Sequence, residues 1–217
     1  MLRRRQMNIA LYWAAGLFTG FLIVTQQVIT NGPLIDFDAK IANAKRPVVS
    51  GTLKFILMRI DNLGLRGVTA TVLIISAILI ARHFKSWRPL NLSILAVLAL
   101  NLVVGLSKLF IGRTKPKLNV DLVYAGGLSY PSGHASNAIL TWGVLAYILY
   151  RYSHPSAWHP LAMGFAAGTF TLGVCVVSAF RNTHWLSDLL GGLFIGGALL
   201  VMVIAADRFV PSEKQIR

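Results

Sequence analysis

Three short polar segments interrupt an otherwise apolar chain, and each carries side chains that suit phosphoryl chemistry. They are KLFIGRTKP at residues 108–116, YPSGH at residues 130–134 and RNTHWLSD at residues 181–188. Ionisable groups are costly in an apolar setting, and where they occur they usually serve function. Each segment alone is a weak signal. If the three meet at one level of the fold, they predict a site.

The basic side chains of these segments suit a dianionic phosphate. They are Lys108, Arg113, Lys115 and Arg181. The sequence places only Asp121 and Asp188 near them, so most of this positive charge is expected to be unpaired. Lysine and arginine bind phosphate oxygens through charge-assisted hydrogen bonds. We therefore predict that all four cations hold a phosphoryl group.

The segment YPSGH predicts the beginning of a helix. Ser132 and Gly133 would lie at its N-terminus, where backbone N–H groups have no partner inside the helix. Such a terminus binds anions, and glycine allows an anion to approach the backbone closely. Ser132 and Gly133 are therefore predicted phosphate contacts.

Two histidines lie in separate polar segments, His134 in the second and His184 in the third. Because His184 and Asp188 are four residues apart, they would share one face of a helix. A carboxylate on one ring nitrogen fixes the tautomer and leaves the other nitrogen free to attack. The chain shows no Cys, His and Asp cluster with metal-ligand spacing, so neither a metal nor another cofactor is needed to explain the site.

Composition places these segments in a membrane protein. The chain has 217 residues, of which 55% are hydrophobic and 13% charged, with a mean hydropathy of +0.64. Soluble domains are roughly a quarter charged, so disorder, a coiled coil and an ordinary soluble enzyme are disfavoured. Cys175, the sole cysteine, lies in an apolar run and is predicted to be a core residue. His83, His154 and His159 are expected to be structural.

Six stretches are apolar enough to span a bilayer, which needs about 20 such residues. They are residues 8–29, 68–81, 90–111, 135–150, 160–180 and 185–206. The first could be a signal peptide, but its long apolar run and the lack of a small-residue cleavage pattern favour a retained helix. We predict an all-α, six-transmembrane-helix bundle forming one membrane-embedded domain over residues 1–217, with active-site segments 108–134 and 181–188.

Two local patterns leave alternatives open. Residues 53–60, LKFILMRI, fit either a short amphipathic helix at the interface or a packed loop. The glycine pairs Gly164 and Gly168, and Gly192 and Gly196, allow helices to approach closely. They favour packing within the chain over a dimer contact.

Basic residues also predict the orientation in the cell membrane, because cytoplasmic loops are enriched in lysine and arginine. They recur at the N-terminus, between the second and third spans and in the tail: Arg3, Arg4, Arg5, Arg82, Lys85, Arg88, Arg208, Lys214 and Arg217. With six spans all these regions share one side. Both termini are therefore predicted to be cytoplasmic and the three polar segments extracytoplasmic.

In this order, the polar segments resemble the signature of the type 2 phosphatidic acid phosphatase superfamily, the membrane lipid phosphate phosphatases. That signature reads K-x6-R-P, then P-S-G-H, then S-R-x5-H-x3-D. Two departures are present. Lys115 replaces the arginine before Pro116, and Val177 and Ser178 occupy the Ser and Arg positions of the third motif. If the preceding helix continues past residue 180, Arg181 would reach the same phosphate from a neighbouring face.

The resemblance implies a metal-independent hydrolase of lipid metabolism that acts through a phosphohistidine. His184 would attack phosphorus, Asp188 would steer it, and His134 would protonate the leaving alkoxide and then activate water. Lys108, Lys115, Ser132, Gly133 and Arg181 would hold the phosphoryl oxygens, and Arg113 would supply the planar two-pronged guanidinium that Lys115 lacks. The substrate would be a lipid phosphate or diphosphate whose tail stays among membrane lipids.

Other functions stay open on the sequence alone. A lipid phosphotransferase would use the same intermediate, and a scaffold with a degenerate site would keep the fold. A transporter would place charges near the middle of its spans, where this chain has none. Nucleic acid is disfavoured as a partner because no basic patch is interleaved with aromatic residues. Six spans also argue against the soluble haloperoxidases of the same superfamily. The oligomeric state is not predicted.

Overall fold

A computed structural model describes residues 2–116, 128–152 and 159–210. Asp121, His154, Lys214 and Arg217, which entered the sequence predictions, lie outside the described residues. The described part is helical and contains no strand, with a single isolated antiparallel bridge between Thr114 and Leu128. The predicted all-α class is confirmed.

The chain forms the following helices in order. They are α1 Leu2–Ile29, α2 Pro33–Asn43, α3 Gly51–Asn62, α4 Arg66–His83, α5 Arg88–Ile111, α6 Gly133–Asn137, a π-helical turn Ala138–Trp142, α7 Gly143–Tyr152, α8 Pro160–Phe180 and α9 Leu186–Phe209. Proline at the first turn of α2, α5 and α8 suits helix starts, because its missing N–H has no partner there.

Five of these helices are long and apolar enough to cross a membrane: α1, α4, α5, α8 and α9. They correspond to five of the predicted spans. The remaining predicted span, residues 135–150, falls on α6, the π turn and α7, which form a continuous helical run over residues 133–152. At 1.5 Å per residue that run is about 30 Å long. It is not among the five, so the total of six stays a prediction.

The interior is apolar, and so is much of the exterior. Leu73, Leu100 and Leu140 belong to one buried cluster that joins α4, α5 and the π turn. In contrast, the side chains of Phe110 and Phe165 are 85% and 78% exposed. Large apolar groups facing water would be unfavourable, whereas a lipid environment accommodates them. This distribution agrees with a multi-pass membrane protein.

The two glycine pairs behave differently. A Cβ on Gly192 would lie 2.6 Å from the carbonyl oxygen of Ser132, and one on Gly196 would lie 2.9 Å from that of Ser136. Close packing within the chain is therefore confirmed for this pair, which lets α9 lie against α6. No such contact exists for Gly164 and Gly168, where an added Cβ would meet nothing within 4 Å. For that pair the packing prediction is wrong.

The region between the first two spans folds into α2 and α3. The helical alternative for residues 53–60 is confirmed, because α3 covers them. Helix α2 was not predicted. Each helix buries one aspartate, Asp38 in α2 and Asp61 in α3, although both helices are short and lie outside the spanning set.

The bundle has two distinct polar ends. At one end Arg88, at the start of α5, pairs with Asp207 near the end of α9, and Arg151 joins them. The three polar segments follow α5, precede α6 and connect α8 to α9, which places them at the other end. Within the described ranges, the predicted cytoplasmic and extracytoplasmic groups thus lie at opposite ends.

The expected structural roles of two single residues are also confirmed. The ring Nδ1 of His159 accepts a hydrogen bond from the backbone N–H of Leu161 at 3.3 Å, which caps α8. Cys175 is buried in a small apolar cluster with Ala135 and Leu189.

Candidate active site

Two histidines from distant parts of the chain meet at one end of the bundle. The ring centroids of His134 and His184 are 5.7 Å apart, although fifty residues separate them. His134 lies in the first turn of α6, and His184 precedes α9. His184 is buried, so its environment is set by protein groups rather than by bulk water.

His184 lies beside the carboxylate of Asp188 but not on the same helical face. The N-cap residue Trp185 separates His184 from α9, so the predicted i, i+4 arrangement within one helix is wrong. The turn nevertheless brings Nδ1 of His184 to 3.5 Å from Oδ2 of Asp188. That nitrogen is buried and has no hydrogen-bond partner among the described residues.

The carboxylate of Asp188 is held from two further directions. Its Oδ2 accepts the backbone N–H of Trp185 at 3.0 Å, a bond typical of the first turn of a helix. Its Oδ1 accepts from the guanidinium of Arg113 at 3.0 Å. The backbone carbonyl of Asp188 accepts a hydrogen bond from the N–H of Ser132 at 2.9 Å, which joins the second and third polar segments.

Arg113 does not lie where the sequence placed it. Its guanidinium bridges Asp188 and Asp38, with a 2.7 Å bond to Oδ2 of Asp38, and it also donates to the hydroxyl of Ser187. Two carboxylates therefore engage a side chain that we expected to hold phosphate. The sequence could not indicate this pairing, because Asp38 comes from α2, a helix about seventy-five residues earlier in the chain.

Arg181 is likewise paired with an acid that the sequence did not place nearby. Its guanidinium forms an ion pair with Asp61, whose other oxygen accepts from Ser178 at 2.8 Å. Helix α8 ends at Phe180, and Asn182 adopts a left-handed conformation with φ of 58°. The helix therefore does not continue past residue 180, which was the condition for Arg181 to reach the phosphate from a helical face, and a turn paired with Asp61 presents Arg181 instead. About a third of the Arg181 side chain stays exposed.

The two lysines of the first segment differ in their partners. Lys108 is buried at the end of α5 and donates to the carbonyl of Leu128. Lys115 is half-buried, and its positive charge lies near enough to Lys108 and His134 to repel their positive charges. Burial is the largest cause that lowers the pKa of His134, which precedes the apolar run at residue 135. The charges of His184, Lys115 and Arg181 lower this pKa further, whereas the carboxylate of Asp61 raises it. The resulting pKa of His134 is about 4.

Ser132 and Gly133 form the predicted helix N-terminus. Ser132 is the N-cap of α6, and its hydroxyl accepts the N–H of Ala135 at 3.3 Å, which is a normal capping bond. Tyr130, two residues earlier, anchors this segment to α1 through a 2.7 Å bond to Thr25 and a stacked ring at 6.0 Å from Phe21. The start of α6 is therefore held both by its own cap and by contacts with α1.

Sequence reasoning missed three site residues: Asp38, Asp61 and Ser187. Ser187 donates to Asp38 through its backbone N–H at 2.9 Å and through its hydroxyl. The sequence did offer an indication for the two aspartates. The chain has only seven acidic residues, and Asp38 and Asp61 lie in largely apolar segments, where an acid is usually buried only with a partner. Their partners could not be read from the spacing.

The arrangement supports attack by a histidine ring nitrogen beside positively charged side chains. Among the described residues no group of three or more His, Cys, Asp or Glu side chains could hold a metal ion. Paired histidines of this kind can transfer a group and a proton in one site.

Comparison with known proteins gives three matches that cover this site. A profile of the PAP2 superfamily matches residues 89–210. Phosphatidylglycerophosphatase B of Bacillus subtilis (strain 168) is 26% identical over 205 residues, which are 94% of this chain and 100% of that protein. A crystal structure described as the first transmembrane PAP2 type phosphatidylglycerolphosphate phosphatase from Bacillus subtilis matches with a TM-score of 0.83 at 25% identity. It covers 94% of this chain and 100% of that one.

Proposed function

Because this chain belongs to the PAP2 superfamily and is a multi-pass membrane phosphoric ester hydrolase, we propose that it dephosphorylates a lipid phosphate or diphosphate through a phosphohistidine. The observation that carries this proposal is the pair of ring centroids of His134 and His184 at 5.7 Å, with Asp188 3.5 Å from His184. The whole chain, residues 1–217, forms the catalytic domain.

His184 is the nucleophile and His134 the acid–base partner. Asp188 lies at Nδ1 of His184, which leaves Nε2 to attack phosphorus. A bound phosphate dianion favours the protonated form of His134, which the empty site disfavours. As the P–N bond forms, the P–O bond to the lipid breaks and protonated His134 gives its proton to the leaving alkoxide. His134 then takes a proton from water, whose oxygen displaces His184 and releases phosphate. A lipid hydroxyl in place of water would make the enzyme a phosphotransferase.

The cations and the helix start hold the phosphoryl oxygens. Lys108, Lys115 and Arg181 supply positive charge, and Ser132 and Gly133 supply the N-terminus of α6. Phosphoryl transfer depends mainly on positioning and on stabilisation of charge, which suits this set. Arg113 acts differently from its predicted role: it orients Asp188 and is a positioning residue.

The name of the Bacillus relative supports phosphatidylglycerol phosphate as one substrate, beside phosphatidate-like lipids and polyprenyl diphosphates. The lipid tail would stay in the bilayer while the headgroup enters between α2, α3 and the histidines. The active site faces the extracytoplasmic side, and both termini are cytoplasmic. The short connection between α4 and α5 supports this orientation, because it brings Arg82, Lys85 and Arg88 together at the opposite end of the bundle.

Replacement of His184 tests the mechanism. The purified His184→Gln variant should release no phosphate from any of the three lipids with excess chelator present, and it should form no acid-labile phosphoenzyme. His83→Gln is a matched control because His83 lies at the far end of α4, and it should react as the wild type does. Full turnover by His184→Gln would remove His184 as the nucleophile.

Cysteine labelling tests the orientation. The sole cysteine, Cys175, is buried, so it can be replaced by alanine to give a cysteine-free background. Lys45→Cys and Arg82→Cys then place one exposed thiol at each end of the bundle. A membrane-impermeant maleimide should label only Lys45→Cys in intact cells. Labelling of Arg82→Cys instead would invert the proposed orientation.

A further inference from the structure

A basic cavity opens beside the candidate active site. It has a volume of about 570 Å³ and lies between the segment that follows α2, the start of α3 and the turn that follows α8. Three cations line it, Arg46, Lys54 and Arg181, and no acidic residue is among the described residues that line it. Its walls therefore carry an excess of positive charge.

Two of these cations have no carboxylate partner among the described residues. Arg46 donates to the carbonyls of Ala42 at 3.0 Å and Ile41 at 2.7 Å, which fixes its guanidinium without neutralising it. Lys54 is exposed in the first turn of α3. Only Arg181 is paired, with Asp61. An anion entering the cavity would thus meet two uncompensated charges.

The cavity is continuous with the residues of the proposed reaction. Arg181 and Thr183 line it, and Thr183 directly precedes His184. Asn182 donates to the carbonyl of Ala42 at 3.2 Å, which ties the turn after α8 to the end of α2 and holds the two walls together. Arg181 therefore lies between the histidines and the two unpaired cations.

We infer that this cavity is a second anion subsite, which binds a phosphate of the same headgroup that is not attacked. The inference rests on the proposed function. One phosphate would react at His184 while the other lies against Arg46 and Lys54. That second group is either a phosphodiester or the second phosphate of a diphosphate. Cations bind such groups through charge-assisted hydrogen bonds, whereas a neutral headgroup gains little from net positive charge. The site therefore favours lipids with two phosphates over lipids with one.

The test compares Lys54→Ala with the wild type on three lipids: phosphatidylglycerol phosphate, a polyprenyl diphosphate and phosphatidate. The value of kcat/KM should fall about fivefold to tenfold on at least one lipid with two phosphates, as expected for loss of a partly exposed charged contact. It should be unchanged on phosphatidate. The lipid that is affected identifies the diester or the diphosphate as the second anion. Lys45→Ala is the matched control, because Lys45 is exposed in the same segment but does not line the cavity.

Equal losses on all three lipids, or no loss on either lipid with two phosphates, would overturn the subsite. A wild type that hydrolyses none of these lipids would instead refute the proposed function. In that case the subsite is tested without turnover, by measuring how much pyrophosphate and phosphate each raise the Tm of the His184→Gln variant. The subsite predicts greater stabilisation by pyrophosphate, which Lys54→Ala removes. Equal stabilisation by the two anions would reject it.

Discussion

Replacement of Arg113 by methionine should destabilise the protein and slow turnover without weakening substrate binding. The guanidinium joins Asp38 at 2.7 Å to Asp188 at 3.0 Å, and these carboxylates are 1% and 0% exposed. Methionine keeps much of the apolar stem but removes the charge. Two buried carboxylates would then lie close together with no cation between them. Among the described residues, the bond from the Trp185 N–H would alone hold the carboxylate of Asp188 beside His184.

The size of the effect follows from this burial. Removing one partner of a buried ion pair costs about 3–5 kcal/mol, because the other charge stays buried and uncompensated. Since 14% of the Arg113 side chain is exposed, the lower figure of about 3 kcal/mol applies. For a chain of this length that corresponds to a decrease in Tm of about 6–12 °C. Loss of a residue that orients a functional group typically lowers activity about 10- to 100-fold.

The assay measures Tm in detergent together with kcat and KM. Asp38→Asn combined with Arg113→Met removes one of the two stranded carboxylates and should recover part of the lost Tm. The control is Arg82→Met, which replaces an exposed arginine at the other end of the bundle. An Arg113→Met variant with normal Tm and kcat but a KM raised more than tenfold would show that Arg113 holds phosphate directly. The positioning role would then be refuted.

Three further predictions concern other parts of the fold. Arg181→Ala should lower kcat/KM about 10- to 150-fold through loss of charged hydrogen bonds. Asp61→Asn, which frees Arg181, should lower it less, and kinetics that rank the two variants in the opposite order would contradict this. Gly192→Val should reduce activity in phosphate-release assays because its Cβ would meet the Ser132 carbonyl at 2.6 Å, whereas Gly168→Val should not. Asp207→Asn should lower Tm because it removes the carboxylate that pairs with Arg88 and Arg151, with kcat unchanged, since this cluster lies far from the histidines.

Sequence alone determined the apolar helices and the candidate reacting groups. Apolar runs of about 20 residues dictate spanning helices because every backbone polar group must be bonded internally in lipid. The signature residues His134, His184 and Asp188 were likewise identified from their types and order. These features are local, so spacing along the chain is enough to identify them.

Tertiary structure decided which charges are free to meet a substrate. Arg113 and Arg181 were equivalent in the sequence, yet one is enclosed by two buried carboxylates and the other stays partly exposed. The acids responsible, Asp38 and Asp61, come from short helices whose docking depends on contacts across the whole bundle. Coulomb interactions depend on distance in space and on burial, and neither quantity is set by separation along the chain.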